Sequence, residues 1–274
     1  MRFPGRSSTT DGDEAVRAEA FDFMGEDGRL LAGRIQMPDG AARDYAIFAH
    51  CFTCASDSLA AVRVSRALAE QGIGVLRFDF TGLGRSEGEF GRHGLSGDVS
   101  DIICAARAMG EAGRTVRLLV GHSLGGAAVL AAAGRISEVR AVATIAAPFE
   151  ADHVLLQFGE ALGRIDERGE SEVQLGGRPF SIRRSFVEDL RSHAEEEYIA
   201  SLRRPLLVLH SPVDTVVGIA NAEGIFRSAK HPKSFVSLDK ADHLLTRNRE
   251  ASYVANVIAS WASLYLDQDP DQAG

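Results

Sequence analysis

The chain has 274 residues, 45% hydrophobic and 25% charged, with a formal net charge of −8 and a sequence pI near 5.5. That length suits one large α/β domain or two small ones. The acidity excludes nucleic acid or an anionic membrane as the main partner, since both need a basic footprint, and three cysteines make no disulfide framework in so long a chain, which points to a reducing, cytoplasmic location.

The opening MRFPGRSSTTDGDEAVRAEA lacks the apolar core of a signal peptide, and residues 1–15 read as disordered. EAFDFMG and RLLAGRIQMP read as two strands joined by a turn at Glu26-Asp27-Gly28. DYAIFAH is a short apolar run that suits a buried strand. LAAVRVSRALAEQG has apolar residues at helical spacing and a stop at Gly72. GVLRFDF is a strand, followed by the glycine-rich turn TGLGRSEG and the helix LSGDVSDIICAARAMGEAG. VRLLVGH, SLGGAAVLAAAGR and VRAVATIAAP continue as strand, helix and strand. PLLVLHSP, VGIANAEGIFRSA, KSFVSLD and YVANVIASWASLYL close the series as strand, helix, strand and helix. The polar end DQDPDQAG reads as a fraying tail, and no run approaches the ~18 apolar residues of a membrane-spanning helix. Short apolar strands alternating with helices imply a mostly parallel sheet with helices on both faces. Residues 149–203 break this rhythm, and EVQLGGRPFSIRRSF within them reads as a hairpin turning at Gly176-Gly177. The expected organisation is one domain over residues 1–274, with 149–203 as a small cap insertion; no internal repeat is visible.

Between one strand and the next helix stands Gly121-His122-Ser123-Leu124-Gly125, a G-x-S-x-G motif. A serine on such a tight strand-to-helix turn presents its Oγ at the carboxyl edge of the sheet, near the helix N-terminus. A serine that merely caps a helix is the bland alternative, but it does not account for the flanking glycines. A serine hydroxyl needs a base and an orienting carboxylate to become a nucleophile. The chain supplies them in the order Ser, acid, His: Asp214 just beyond one strand and His243 just beyond the next. Asp239 and Asp242 are rival acids; the first sits at a strand end and the second adjoins His243, so Asp214 is preferred.

This pattern resembles the α/β-hydrolase superfamily over roughly residues 21–266. The resemblance implies an α/β-hydrolase fold and an oxyanion hole formed by the amides of Leu124, after the nucleophile, and Phe52, in the loop His50-Cys51-Phe52. Cys51 there stands where the family usually has glycine. His50, Cys51 and His122 are expected to line the site. The stretch from HCFTC to GRSEGEF is similar to a subgroup whose domain is often fused to an OsmC-like domain, which raises a separate OsmC-like protein as a possible partner. In such hydrolases the turn holding Asp79, Gly82, Gly84 and Ser86 is structural, and its G-x-G lacks the third glycine of a dinucleotide fingerprint.

Cys51 and Cys54 form a C-x-x-C pair on that loop. The preferred expectation is two free thiols filling space beneath it; a redox pair is the alternative. A metal clamp lacks further ligands. Cys104, in a helical apolar stripe, reads as core. No cofactor or metal is expected. The sequence thus points to a serine hydrolase that acts on a carboxylic ester or related small acyl compound through an acyl-enzyme. Ser123 at the nucleophile position argues against dehalogenase and epoxide hydrolase chemistry, which usually uses Asp. Two alternatives stay open: a thiol-redox partner protein, and an aminopeptidase-like enzyme using Glu150, Asp152 and Glu160 of the cap. The run Glu195-Glu196-Glu197 reads as a solvated face.

Overall fold

The computed structural model describes residues 17–175, 177–193 and 195–266. The expected disorder of residues 1–15, the fraying tail at 267–274 and Gly176 of the hairpin turn lie outside them. The N-terminal stretch makes four short strands rather than two longer ones: β1 (Ala18–Ala20), β2 (Phe23–Met24), β3 (Leu30–Leu31) and β4 (Gly33–Gln36). β1 pairs with β4 and β2 with β3, both antiparallel. Between the two ladders the Asp22 carboxylate accepts the Gly33 amide at 3.0 Å, so a side chain takes over from a main-chain acceptor and the strands break. The expected turn holds Gly28 in the left-handed region, with φ 76°.

The alternating part follows: β5 (Asp44–Ala49), α1 (Leu59–Glu70), β6 (Ile73–Phe78), α2 (Leu95–Glu111), β7 (Val116–His122), α3 (Leu124–Ala133) and β8 (Ala141–Ile145). An insertion comes next, with a 3-10 turn at Ala151–Phe158, then α4 (Ala161–Arg168), β9 (Glu170–Leu175), β10 (Arg178–Arg183), α5 (Arg184–Ser192) and α6 (Glu195–Ala200). β11 (Leu206–His210), α7 (Ala220–Ser228), β12 (Lys233–Ser237) and α8 (Asn248–Leu266) complete the chain as described. Among the described residues eight strands share one sheet in the order β1-β4-β6-β5-β7-β8-β11-β12. β1, β4 and β6 meet antiparallel at one edge; every later neighbour is parallel.

β5, β7, β8 and β11 are apolar on both faces, as parallel strands covered by helices must be. Alternate residues feed two cores. Phe48, Val120, Ile145 and Leu209 pack with Val64 and Leu68 of α1 and Val254 and Ile258 of α8. Ile47, Leu119, Val142 and Val208 pack with Ile102 of α2, Val129 of α3 and Ile225 of α7. Helices cover both faces, so the carboxyl edge of the sheet is left for loops. The insertion joins the second core through Val173, Leu175, Ile182, Phe186 and Leu190. Its hairpin is confirmed by antiparallel pairing from Arg178–Leu175 to Arg183–Glu170. The Arg184-Ser185-Phe186 end of the expected hairpin belongs instead to α5, where Phe186, Val187 and Leu190 make a buried helical stripe. Among the described residues no helix is long and apolar enough to cross a membrane.

Candidate active site

Ser123 joins β7 to α3 with φ 55° and ψ −128°, a strained conformation for a residue with a Cβ. Its neighbours permit the turn. A Cβ on Gly121 would land on the Gly125 carbonyl, and one on Gly125 would land on the Ala49 and His50 carbonyl oxygens. The serine amide donates to Ile145 O of β8 at 2.9 Å, and Ser123 O receives the Gly126 amide at 2.7 Å. β5 lies beside β7 with Ala49 opposite Gly121, so the loop after β5 meets the serine turn directly.

Asp214 lies four positions past the end of β11, and His243 follows β12, the next strand in the sheet. The structure brings both to Ser123. His243 Nε2 is 3.0 Å from Ser123 Oγ, and His243 Nδ1 is 2.7 Å from Asp214 Oδ2. The other Asp214 oxygen accepts the Val216 and Val217 amides at 2.8 and 3.0 Å. Burial pushes the Asp214 carboxyl up, but the His243 hydrogen bond and these amides outweigh it and hold it below its usual range. The carboxylate thus stays ionised and orients Nδ1–H, which leaves Nε2 free to accept a proton. Ser123 is 6% exposed. The rival acids stand elsewhere: exposed Asp239 meets Ser237, and exposed Asp242 binds the Leu244 and Thr246 amides, bracing the loop that carries His243.

The loop after β5 corrects one expectation. Cys51 and Cys54 are joined in a disulfide, with Cα atoms 5.3 Å apart, rather than filling space as two thiols. The reason is a tight turn: the Cys54 amide donates to Cys51 O at 3.1 Å, which brings the two Cβ atoms within bridging range. Cys51 needs no glycine, because the left-handed residue of this loop is Thr53, with φ 57°. Cys104 is free and buried, as expected. Phe52 sits inside the bridged turn, and its amide has no acceptor among the described residues. Its ring packs on Phe90, Phe158 and Phe186, with centroids 5.4, 6.3 and 6.2 Å away. Arg178 of the hairpin donates to Thr53 O at 2.7 Å. The insertion therefore grips the loop after β5, a relation the sequence did not disclose.

The buried His50 donates from Nδ1 to Cys51 O at 2.9 Å and accepts the Phe80 amide at Nε2, 3.4 Å away. His122 donates from Nε2 to the main-chain O of His243 at 2.7 Å, with ring centroids 5.2 Å apart. His210, to which the sequence assigns no role, donates from Nε2 to Val217 O at 2.8 Å. The signal was its place at the end of β11, four residues before the acid. Asp79 keeps the structural role expected of its turn: it accepts the Ser56 and Arg85 amides at 2.7 and 3.0 Å, and its carbonyl accepts Ser86 Oγ–H. Glu150 and Glu160 are exposed, and Asp152 is half-buried on the 3-10 turn. Among the described residues no group of three or more His, Cys, Asp or Glu is placed to hold a metal ion.

A two-sided parallel sheet with a left-handed serine at the end of a central strand is the framework of an alpha/beta hydrolase. Residues 46–263 match the alpha/beta hydrolase family, and the chain belongs to it. The crystal structure of the esterase domain from a Rhodothermus marinus protein is 45% identical, covers 91% of this chain and 99% of that one, and superposes with a TM-score of 0.75. Est1E from Butyrivibrio proteoclasticus, solved with ferulic acid, shares the fold at 20% identity and a TM-score of 0.75, over 90% of this chain and 99% of that one. Among curated proteins, the uncharacterized protein YfhR of Escherichia coli K12 is 25% identical over 236 residues, 85% of this chain and 76% of that protein.

Proposed function

We propose that this chain is a serine hydrolase that cleaves a carboxylic ester, or a related acyl compound, through an acyl-enzyme. The observation that carries the proposal is the continuous relay from Ser123 Oγ through the His243 ring to Asp214, at 3.0 and 2.7 Å. The 45% identity to an esterase domain supports it. Ser123 Oγ attacks the acyl carbonyl while His243 Nε2 takes its proton. Asp214 holds Nδ1–H and stabilises the imidazolium. The amides of Leu124 and Phe52 receive the oxyanion, each such donor being worth about 3–4 kcal/mol. The tetrahedral intermediate collapses, the His243 proton passes to the leaving alcohol, and the acyl group stays on Ser123. Water, losing a proton to His243, then attacks the acyl-enzyme and releases the acid. A short acyl group suits the site best, because the rings around Phe52 fill the space between oxyanion loop and insertion.

The test is covalent labelling with a fluorophosphonate, mapped by mass spectrometry and paired with turnover of p-nitrophenyl esters of graded chain length. The expected result is labelling at Ser123 alone and a fall in kcat of about 10⁴-fold or more in Ser123→Ala. Folded protein that neither labels nor turns over any ester refutes the reading.

The Cys51–Cys54 disulfide favours a second reading, a thiol-redox protein. There the two thiols reduce a hydroperoxide to an alcohol and water as the disulfide forms, and an OsmC-like protein is a fitting partner. Peroxide-dependent loss of both thiols in a protein without esterase activity would favour it.

A further inference from the structure

His122 and His210 are each 0% exposed and lie outside the relay. His122 Nε2–H donates to the main-chain O of His243 at 2.7 Å, and His210 Nε2–H to the main-chain O of Val217 at 2.8 Å. The remaining nitrogen of each ring, Nδ1, is buried without a hydrogen-bond partner among the described residues. A neutral imidazole has one donor and one acceptor, so both rings are the Nε2–H tautomer. Each donor takes hold of a catalytic loop. His122, next to the nucleophile, holds the peptide of the base itself. His210, at the end of β11, holds the far side of the turn that the acid closes by accepting the Val216 and Val217 amides, and its Nε2 stands 3.9 Å from Asp214 Oδ2. A carbonyl held by a buried donor has a fixed peptide plane, which fixes the direction in which the neighbouring side chain leaves the backbone.

We propose that His122 and His210 are positioning residues, setting His243 and Asp214 in register with Ser123 through these two main-chain carbonyls. The inference rests on the serine hydrolase reading. It assigns each ring a specific atom, Nε2, and that separates it from a packing role, for which any filler of similar size serves. The charged and titratable groups facing His122 are His243, Asp214 and His50; those facing His210 are Asp214 and His243. Burial lowers both rings from the ordinary histidine value, so both remain neutral donors while His243 gains and loses its proton.

The experiment replaces each histidine in the full chain by Phe, Gln and Asn. Phe keeps the ring and removes the donor. Gln places an amide N–H near Nε2; Asn places one near Nδ1, where it reaches no carbonyl. Readouts are kcat and KM on p-nitrophenyl acetate per fluorophosphonate-titrated site, melting temperature, and the low-field proton resonance of His243 Nδ1–H against Asp214. Phe is expected to lower kcat by about 10- to 100-fold with KM little changed, Gln to recover most of the loss, and Asn not to. Phe variants as active as the parent, or Gln and Asn variants equal to each other in folded protein, overturn the inference. Where a Phe variant does not fold, the Gln and Asn pair decides. A parent that turns over no ester refutes the hydrolase reading separately, and the resonance then decides this one. Loss of it in Phe or Asn with retention in Gln supports the positioning role, and retention in all three variants overturns it.

Discussion

At Ser123 a side-chain residue is held at φ 55° only because its surroundings leave no alternative. Gly125→Ala is therefore expected to do more than perturb α3. The new methyl meets the Ala49 and His50 carbonyls and drives the serine turn away from the loop after β5. Fluorophosphonate labelling should be lost even where circular dichroism stays native; full labelling would mean that the close approach is unimportant. His122 has its own signature in acid. Burial, and then the neighbouring His243, push its ring from the usual 6.5 down to about 4. Below 6.5 the unfolded chain takes up a proton that the folded chain refuses, so stability falls as pH drops and the loss is complete below about 4. The size of the effect is about 3 kcal/mol. His122→Gln is expected to flatten this limb in urea unfolding across the same window; an unchanged slope would place the acid sensitivity elsewhere. That Asp214 and His243 meet Ser123 was legible in the sequence because each of the three follows a strand at the same edge of the sheet. His210 was not, because its role comes from Val217, whose carbonyl reaches it only after the acid turn has folded back.

Among the elements, the loop after β5 departs furthest from expectation. C-x-x-C spacing is compatible with thiols or with a bridge, and the choice depends on a turn closed by one hydrogen bond and a left-handed Thr53 that nothing in the sequence signals. Closing so short a ring is worth about 2 kcal/mol by chain entropy. Reduction by a phosphine is expected to lower the melting temperature by roughly 5 °C and to depress kcat more than it raises KM. Activity that survives complete thiol release would show that the Phe cluster and Arg178 hold the loop unaided. Phe186, 2% exposed, packs on Phe52, Phe90 and Phe158. Phe186→Ala is expected to cost about 3–5 kcal/mol of stability in denaturant titrations, and to lower kcat through Phe52 as well. A stability cost under about 1 kcal/mol would mean that the site collapses freely. Strands and long helices were legible from apolar runs and glycine stops. The insertion was legible as a hairpin but not as a clamp, because residues such as Phe52 and Phe158, far apart in sequence, meet only in space.

Across the molecule, the central strands of the sheet are buried on both faces, whereas β9 and β10 form a separate two-stranded ladder whose outward residues are exposed. Amides of β5, β7 and β8 are expected to exchange with solvent only on global unfolding, and those of β9 and β10 earlier by local opening. Hydrogen exchange read by mass spectrometry checks this, and equal protection in both regions would mean that the insertion and sheet unfold as one unit. The parallel order of the strands also has a temporal side. Ser123 precedes His243 by 120 residues, and Asp214 precedes it by 29. A ribosome therefore delivers Ser123 and its turn long before the imidazole that meets it. Until β12 docks beside β11 and α8 closes over α1, the nascent chain carries Ser123 without its imidazole partner, and on the proposed hydrolase reading it has no means yet to attack the acyl compounds around it.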